Sequence, residues 1–259
     1  GSFYAVFSLA GIVGALLASV AASSELTLAA FFGLVAVVVV PAQLIVGPWL
    51  LRGASGTAAS EAEVVRPHVT VPWGPIAAIG VVLTCVYVAD SSASNWSAVY
   101  LTDELGSTES VAALGYACYA LATLLGRTVV DRLVARTGPV ALVRGGGLLA
   151  AAAALGVALA PGSPAALAAF AVLGLAVAPV IPLAFTAAAE HDPLGSGVAV
   201  ARVNVFNYVG FVLGAPLVGV VAESSSLRWG FAVLVPVLLL VPLLAGSFRP
   251  LPRVPEVLR

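Results

Sequence analysis

The stretch Gly126-Arg127-Thr128-Val129-Val130-Asp131-Arg132-Leu133-Val134-Ala135-Arg136-Thr137-Gly138 packs three arginines and an aspartate between two apolar runs, residues 110–130 and 139–160. A run of about 20 apolar residues, rising about 1.5 Å per residue as a helix, crosses about 30 Å of hydrocarbon. The charged centre therefore reads as a place where the chain leaves a bilayer and turns back into it.

Working outward, the same pattern recurs. Apolar runs bounded by charge, Pro or Gly/Ser clusters occupy residues 1–22, 26–51, 73–101, 110–130, 139–160, 164–189, 197–222 and 229–248. They predict an all-α polytopic membrane protein with eight transmembrane helices. Composition agrees: of 259 residues, 61% are hydrophobic and 9% charged, with a mean hydropathy of +1.11. A soluble domain carries roughly 45–50% apolar and about 25% charged residues. A soluble enzyme, a nucleic-acid binder and a disordered chain are excluded together. The first run has no basic flank or cleavage site, so it does not read as a signal peptide. Met is absent even at position 1, which predicts a fragment or a trimmed chain.

Most connections are short and polar. The exception, residues 52–72, is rich in Gly, Ala and Ser, carries Glu61, Glu63 and Arg66, and reads as a flexible linker. It separates two helices (1–51) from a six-helix unit (73–248), which a short tail (249–259) follows. All eleven basic residues are Arg. If the spans alternate, ten fall on one side and only Arg228 on the other, whereas Glu25, Asp103, Glu104, Glu109 and Glu223 gather on the Arg-poor side. Positive charge is retained on the cytoplasmic face, so both ends are expected in the cytoplasm of a bacterial cell, the protein lying in its plasma (inner) membrane. Cys85 and Cys118 sit inside apolar runs and are expected as free thiols.

The segment 126–138 resembles the signature that transporters of the major facilitator superfamily (MFS) carry between their eighth and ninth helices. Asn95-Trp96-Ser97-Ala98-Val99-Tyr100-Leu101, Gly174-Leu175-Ala176 with Pro179 and Pro182, Tyr208-Val209-Gly210-Phe211-Val212-Leu213-Gly214, and Ser2-Phe3-Tyr4-Ala5-Val6-Phe7-Ser8-Leu9-Ala10-Gly11 resemble the bacterial branch near the fucose permeases. The superfamily pattern places Gly four residues before the Asp; here Arg127 holds that place. The resemblance implies a fold of twelve helices, of which this chain would hold helices five to twelve, the C-terminal two thirds. It would be N-terminally truncated, its missing helices expected in the complete protein. The resemblance also implies that Arg127, Asp131, Arg132 and Arg136 form a cytoplasmic gate. The same arginines are also what topology alone requires.

Asp90 is the residue that most needs explaining, since a carboxylate within a span is costly unless it faces a cavity or partner, or takes up a proton. Thr84, Tyr87, Asp90 or Ser91, Ser94 and Ser97 share one helical face. Either this face lines an aqueous cavity, with Asp90 carrying a coupled proton, or the span breaks near 90–95 and leaves Asp90 in the outer interface. Tyr116, Tyr119 and Thr123 repeat the spacing in the next run; their roles divide between solute binding and packing. Asn204, Asn207 and Tyr208 form a polar stripe in the seventh, binding a ligand or joining helices, and Gln43 stands alone in the second. The candidate solute site is thus Tyr87, Asp90, Ser94, Tyr116, Tyr119, Asn204, Asn207 and Tyr208. Gly210 and Gly214 allow close helix approach, and Pro179 with Pro182 marks a gate or a kink.

Other motifs fall away. Asn95-Trp96-Ser97 lies at a span end, too close to the membrane for glycosylation. Arg144-Gly145-Gly146-Gly147 has no preceding strand and no Lys for a phosphate loop. His68 and His191 are far apart with no further ligand beside either, so no metal and no cofactor is expected. Asp90 and Asp131 fall on opposite sides of the membrane and make no acid–base pair for an enzyme. The expectation is secondary transport of a small polar or amphipathic solute by alternating access, with proton coupling as an added hypothesis. Its partners would be that solute, protons and membrane lipid, and no nucleic acid. A non-transporting sensor or assembly subunit on the same fold is the alternative.

Overall fold

The computed structural model describes residues 30, 33–37, 39–42, 44, 71–192 and 195–250. The chain divides into two units, Gly1–His68 and Val69–Arg259. In the first, the apolar helix Gly33–Ala42 falls within the second predicted run. The first run, Gln43, most of the linker and most of the tail lie outside the described residues.

The second unit holds helices α1 (Trp73–Val99), α2 (Glu109–Thr137), α3 (Pro139–Ala158), α4 (Ser163–Val177), α5 (Val180–Glu190), α6 (Val198–Ser224), α7 (Leu227–Ala232) and α8 (Leu234–Leu244). A π-helical turn, Tyr100–Glu104, prolongs α1, and α4–α5 and α7–α8 are each one span with an interruption. Six segments are long and apolar enough to cross a membrane: Trp73–Glu104, Glu109–Thr137, Pro139–Ala158, Ser163–Glu190, Val198–Ser224 and Leu227–Phe248. The unit is all-helical throughout its described residues, and the six segments match the six predicted runs after the linker.

Short connections force successive spans to run antiparallel, which fixes two triplets that enter from opposite ends. The first is α1, α2 and α3; the second is α4–α5, α6 and α7–α8. The packing crosses between them. The first helix of each triplet lies on the second of the other, α1 on α6 and α4 on α2, and the third helices meet as α3 on α8. Such an exchange between oppositely entering repeats is the architecture in which transport sites lie at mid-membrane.

Small residues make the crossings possible. A Cβ on Gly210 would lie 2.5 Å from the Thr84 carbonyl oxygen, and one on Gly214 2.5 Å from that of Val88. The predicted close approach is therefore that of α6 onto α1. Hydroxyls pin two of the three inter-triplet contacts. Ser92 donates to the Gly214 carbonyl at 3.1 Å, and Thr123 to that of Gly174 at 3.2 Å.

Three local expectations need revision. The charged stretch 126–138 is helical through Thr137, and Gly138, at φ +78°, alone makes the turn before Pro139 opens α3. Its Arg and Asp side chains thus ride on the last turns of α2 instead of lying in a loop, because nothing between Gly126 and Thr137 stops a helix. Helix α1 runs unbroken past Asp90 to Val99, which removes the reading in which the span breaks at 90–95. Of the two prolines in the sixth run, Pro179 coincides with the interruption between α4 and α5, whereas Pro182 is accommodated in the first turn of α5. The first turn of a helix has no backbone acceptor for its N–H groups, so Pro182 costs little there.

At the Arg-poor end the unit is tied shut. The rings of Tyr100, Phe170 and Phe231, from three different spans, meet edge to face with centroids 5.2–6.3 Å apart. The Tyr100 hydroxyl donates to the Val157 carbonyl at the end of α3. Arg228 pairs with Glu104 at 3.4 Å and donates to the carbonyls of Ala158 and Ala160. Glu104 in turn accepts the Leu227 backbone N–H at 3.2 Å. Orphan groups at the ends of α3 and α7 are thereby satisfied by side chains of other spans.

Candidate functional site

Along α1, Thr84, Tyr87 and Asp90 stay partly open between buried neighbours, and Ser94 is partly open beside the exposed Asn95, which is the stripe its helical spacing marks out. Ser91 and Ser97, assigned to the same face, are buried instead. Ser91 lies against Gly214 of α6 and Ser97 against Gly115 of α2. The Thr84 hydroxyl donates to the Phe206 carbonyl of α6 at 3.0 Å and so serves helix packing.

Asp90 stands near the middle of the 32-residue span Trp73–Glu104. Its carboxylate accepts a hydrogen bond of 2.7 Å from the hydroxyl of Tyr119 on α2. A bond to an ionised group is worth roughly 1.5–3 kcal/mol net, about twice an ordinary one. Tyr119 is itself buried, so the bond forms inside the helix packing. Tyr116, one turn away on α2, stacks on Tyr119 with ring centroids 5.9 Å apart and leaves 45% of itself exposed. Thr123, next on this spacing, turns inward to α4. The three hydroxyl residues of α2 are thus divided: Tyr116 is open, Tyr119 holds Asp90, and Thr123 joins helices.

Arg127, two turns beyond Tyr119 on α2, is half-buried, whereas Asp131, Arg132 and Arg136, grouped with it in sequence, are exposed at the end of the helix.

On α6, the Asn207 side-chain amide donates to Asn204 Oδ1 at 3.2 Å, both residues being half-buried, and Tyr208 is 64% exposed. Of the expected site, the structure brings Asp90, Tyr119 and Tyr116 together.

Two features at the Arg-rich end were not foreseen. The Arg202 guanidinium lies 4.2 Å from the centre of the Trp73 ring and donates to the Val71 carbonyl at 2.9 Å, anchoring the start of α1 to the start of α6. Asp192 accepts from the Ser196 backbone N–H at 3.1 Å and from its hydroxyl at 2.9 Å, ahead of α6. Burial pushes the Asp192 carboxyl up, but the Ser196 hydroxyl and the amides of Ser196, Gly197 and Ala199 outweigh it and hold the group below the usual range. No cluster of three or more His, Cys, Asp or Glu suited to a metal occurs among the described residues.

Comparisons with known proteins bear on what this arrangement serves. The family model of the Major Facilitator Superfamily matches residues 1–193 and 79–258. The chain is 32% identical over 257 residues to the uncharacterised MFS-type transporter YPO1221/y2967 of Yersinia pestis, covering 97% of this chain and 63% of the relative. It is 31% identical over 238 residues to the uncharacterised transporter y4wD of Sinorhizobium fredii, covering 90% and 60%. The membrane protein MosC of Rhizobium meliloti is 32% identical over 148 residues, 57% of this chain and 36% of that protein. The chain thus spans about three fifths of the length of the first two. Six apolar spans in two crossed triplets and a family match over nearly the whole sequence lead to one conclusion: the chain belongs to the major facilitator superfamily.

Proposed function

We propose that this chain forms part of a secondary transporter for a small polar or amphipathic solute, working by alternating access and coupled to protons through Asp90. The observation that carries the reading is the Asp90–Tyr119 bond at mid-span. An ionisable group in the hydrocarbon region is expensive to keep unless it serves a pathway. The Tyr119 hydroxyl supplies a donor to the carboxylate form, whose charge is otherwise costly at this depth. Tyr116, open and stacked on Tyr119, offers a solute both a ring face and a hydroxyl. Tyr87, Ser94, Asn204, Asn207 and Tyr208 extend the candidate wall.

In this reading the unit 73–248 acts as one bundle of a twelve-helix transporter, and 1–51 corresponds to its fifth and sixth helices, on the branch near the fucose permeases. The protein lies in a bacterial inner membrane with the Arg-rich end cytoplasmic. Asp131, Arg132 and Arg136, exposed there, supply the gate that holds one access state. The experiment uses the complete protein in proteoliposomes loaded with a pH-sensitive dye. A panel of sugars, polyols and amphipathic organic solutes is applied outside. At least one solute should drive proton movement into the lumen. Asp90→Asn should abolish that movement while leaving solute counterflow intact. Unchanged solute-driven proton movement in Asp90→Asn rejects the coupling role.

A further inference from the structure

Away from the Asp90 wall, the Arg-poor ends of α1 and α6 and the start of α7 border a wide, open groove of about 680 Å³. Its walls are mostly apolar, with Pro216 and Val220 of α6 on one side and Trp96 of α1 on the other, and its rim carries Asp103 and Glu223. The groove is built rather than incidental. The Trp96 Nε1–H donates to the Ala215 carbonyl at 2.9 Å, which fixes the ring. Gly219 supplies the space for it, since a Cβ there would stand 3.0 Å from Trp96 Cζ2.

Charge and depth define what fits. Both rim carboxylates are exposed and lie at the ends of spans, so they stand at the level of the membrane surface. Asp103 Oδ1 accepts the Thr102 hydroxyl at 2.7 Å, which leaves its second oxygen for a ligand. The cation of this end, Arg228, does not line the groove; it is held by Glu104 and by the carbonyls of Ala158 and Ala160. The groove therefore presents two negative charges at the surface, beside the Trp96 ring. Pro216, seven residues before Glu223 on α6, lies about 10 Å deeper along an apolar wall. A complementary molecule has an ammonium at one end and a hydrocarbon chain at the other, oriented as lipids are.

We propose that this groove binds an aminophospholipid of the bilayer, its ammonium between Asp103 and Glu223 over the Trp96 ring and one acyl chain along Val220 and Pro216. Carboxylates and an aromatic face both attract an ammonium, and partial desolvation at the rim strengthens the attraction.

The test is native mass spectrometry of the purified chain equilibrated with equal amounts of phosphatidylethanolamine and phosphatidylglycerol. The chain should retain phosphatidylethanolamine over phosphatidylglycerol by about fivefold, the ratio expected for roughly 1 kcal/mol of headgroup selectivity. The double variant Asp103→Asn with Glu223→Gln should lose the preference while keeping its thermal midpoint. Trp96→Phe, which keeps an aromatic face, should retain it in larger part. Equal retention of the two lipids by the unaltered chain overturns the proposal, as does a preference that survives in the double variant. Binding of soluble dodecylammonium without any lipid preference also overturns it, because the groove would then be a site for free amines.

Discussion

The Arg-poor end of the six-span unit and the wall around Asp90 use the same residue types to opposite ends. At the Arg-poor end, Tyr100 buries its ring between Phe170 and Phe231 and bonds a carbonyl of α3, and Glu104 is matched by Arg228. These polar groups are answered by other spans of the same unit. At the wall, Tyr119 answers Asp90, but Tyr116 and Tyr208 present 45% and 64% of themselves outward. One helix, α1, runs through both regions. The contrast teaches that α1 is tied to other spans at its Arg-poor end, and that its mid-span carboxylate has one partner, Tyr119, with the open Tyr116 ring stacked beside it.

Substitutions can break or sharpen that contrast, and the crossings that support both regions give the largest effect. Gly214→Val places branched carbon where even a Cβ would stand 2.5 Å from the Val88 carbonyl. It should part α1 from α6 at a cost of about 3 kcal/mol or more, seen as loss of the monodisperse protein in size-exclusion chromatography. Tyr119→Phe should come next. It leaves the Asp90 carboxylate without its 2.7 Å donor and should destabilise the fold by about 1–3 kcal/mol in a chemical unfolding titration. In an Asp90→Asn background the same change should cost measurably less, because the two residues act as one pair.

The ion pair of the Arg-poor end should matter less than its appearance suggests. Both side chains are partly exposed, at 36% for Arg228 and 21% for Glu104, so Glu104→Gln should cost about 1 kcal/mol or less. Added salt should shrink the difference from the unaltered protein, again read by unfolding. At the wall, Tyr116→Phe and Tyr208→Phe should leave stability within about 0.5 kcal/mol and alter solute binding instead. A larger loss of stability would show these hydroxyls to be structural and erase the contrast.

The smallest effect belongs to Asp192. Its carboxyl lies below the usual range in the folded protein because Ser196 and neighbouring amides stabilise the charged form. The stabilisation is therefore complete above the unfolded value of about 3.9 and is lost as pH falls through the lower folded value. The thermal midpoint of the unaltered protein should exceed that of Asp192→Asn near neutrality, and the gap should close only below about pH 4.

Much of this molecule is written locally and can be read locally. The six described spans follow from runs of apolar residues, and the face of α1 that stays open follows from a spacing of three and four. Partners are another matter. Helical periodicity shows that Tyr116, Tyr119 and Thr123 share a face, yet three neighbours take them: open space, Asp90 and Gly174. Arg228 was conspicuous as the one arginine on its side, but its partner Glu104 is more than a hundred residues away in sequence, and only the crossing of the triplets joins them. The extension of α2 through the charged motif was missed for a simpler reason. Arginine and alanine are good helix formers, and charge marks a membrane boundary without ending a helix.

The claim on which the account turns is that Asp90 takes up and releases a proton within the wall. Infrared difference spectroscopy of the complete protein, recorded as pH is cycled, reports this directly through the carbonyl band of a protonated carboxyl. The account predicts a band that titrates, shifts in frequency in Tyr119→Phe, and is absent from Asp90→Asn. A spectrum that is the same with and without Asp90 would contradict it.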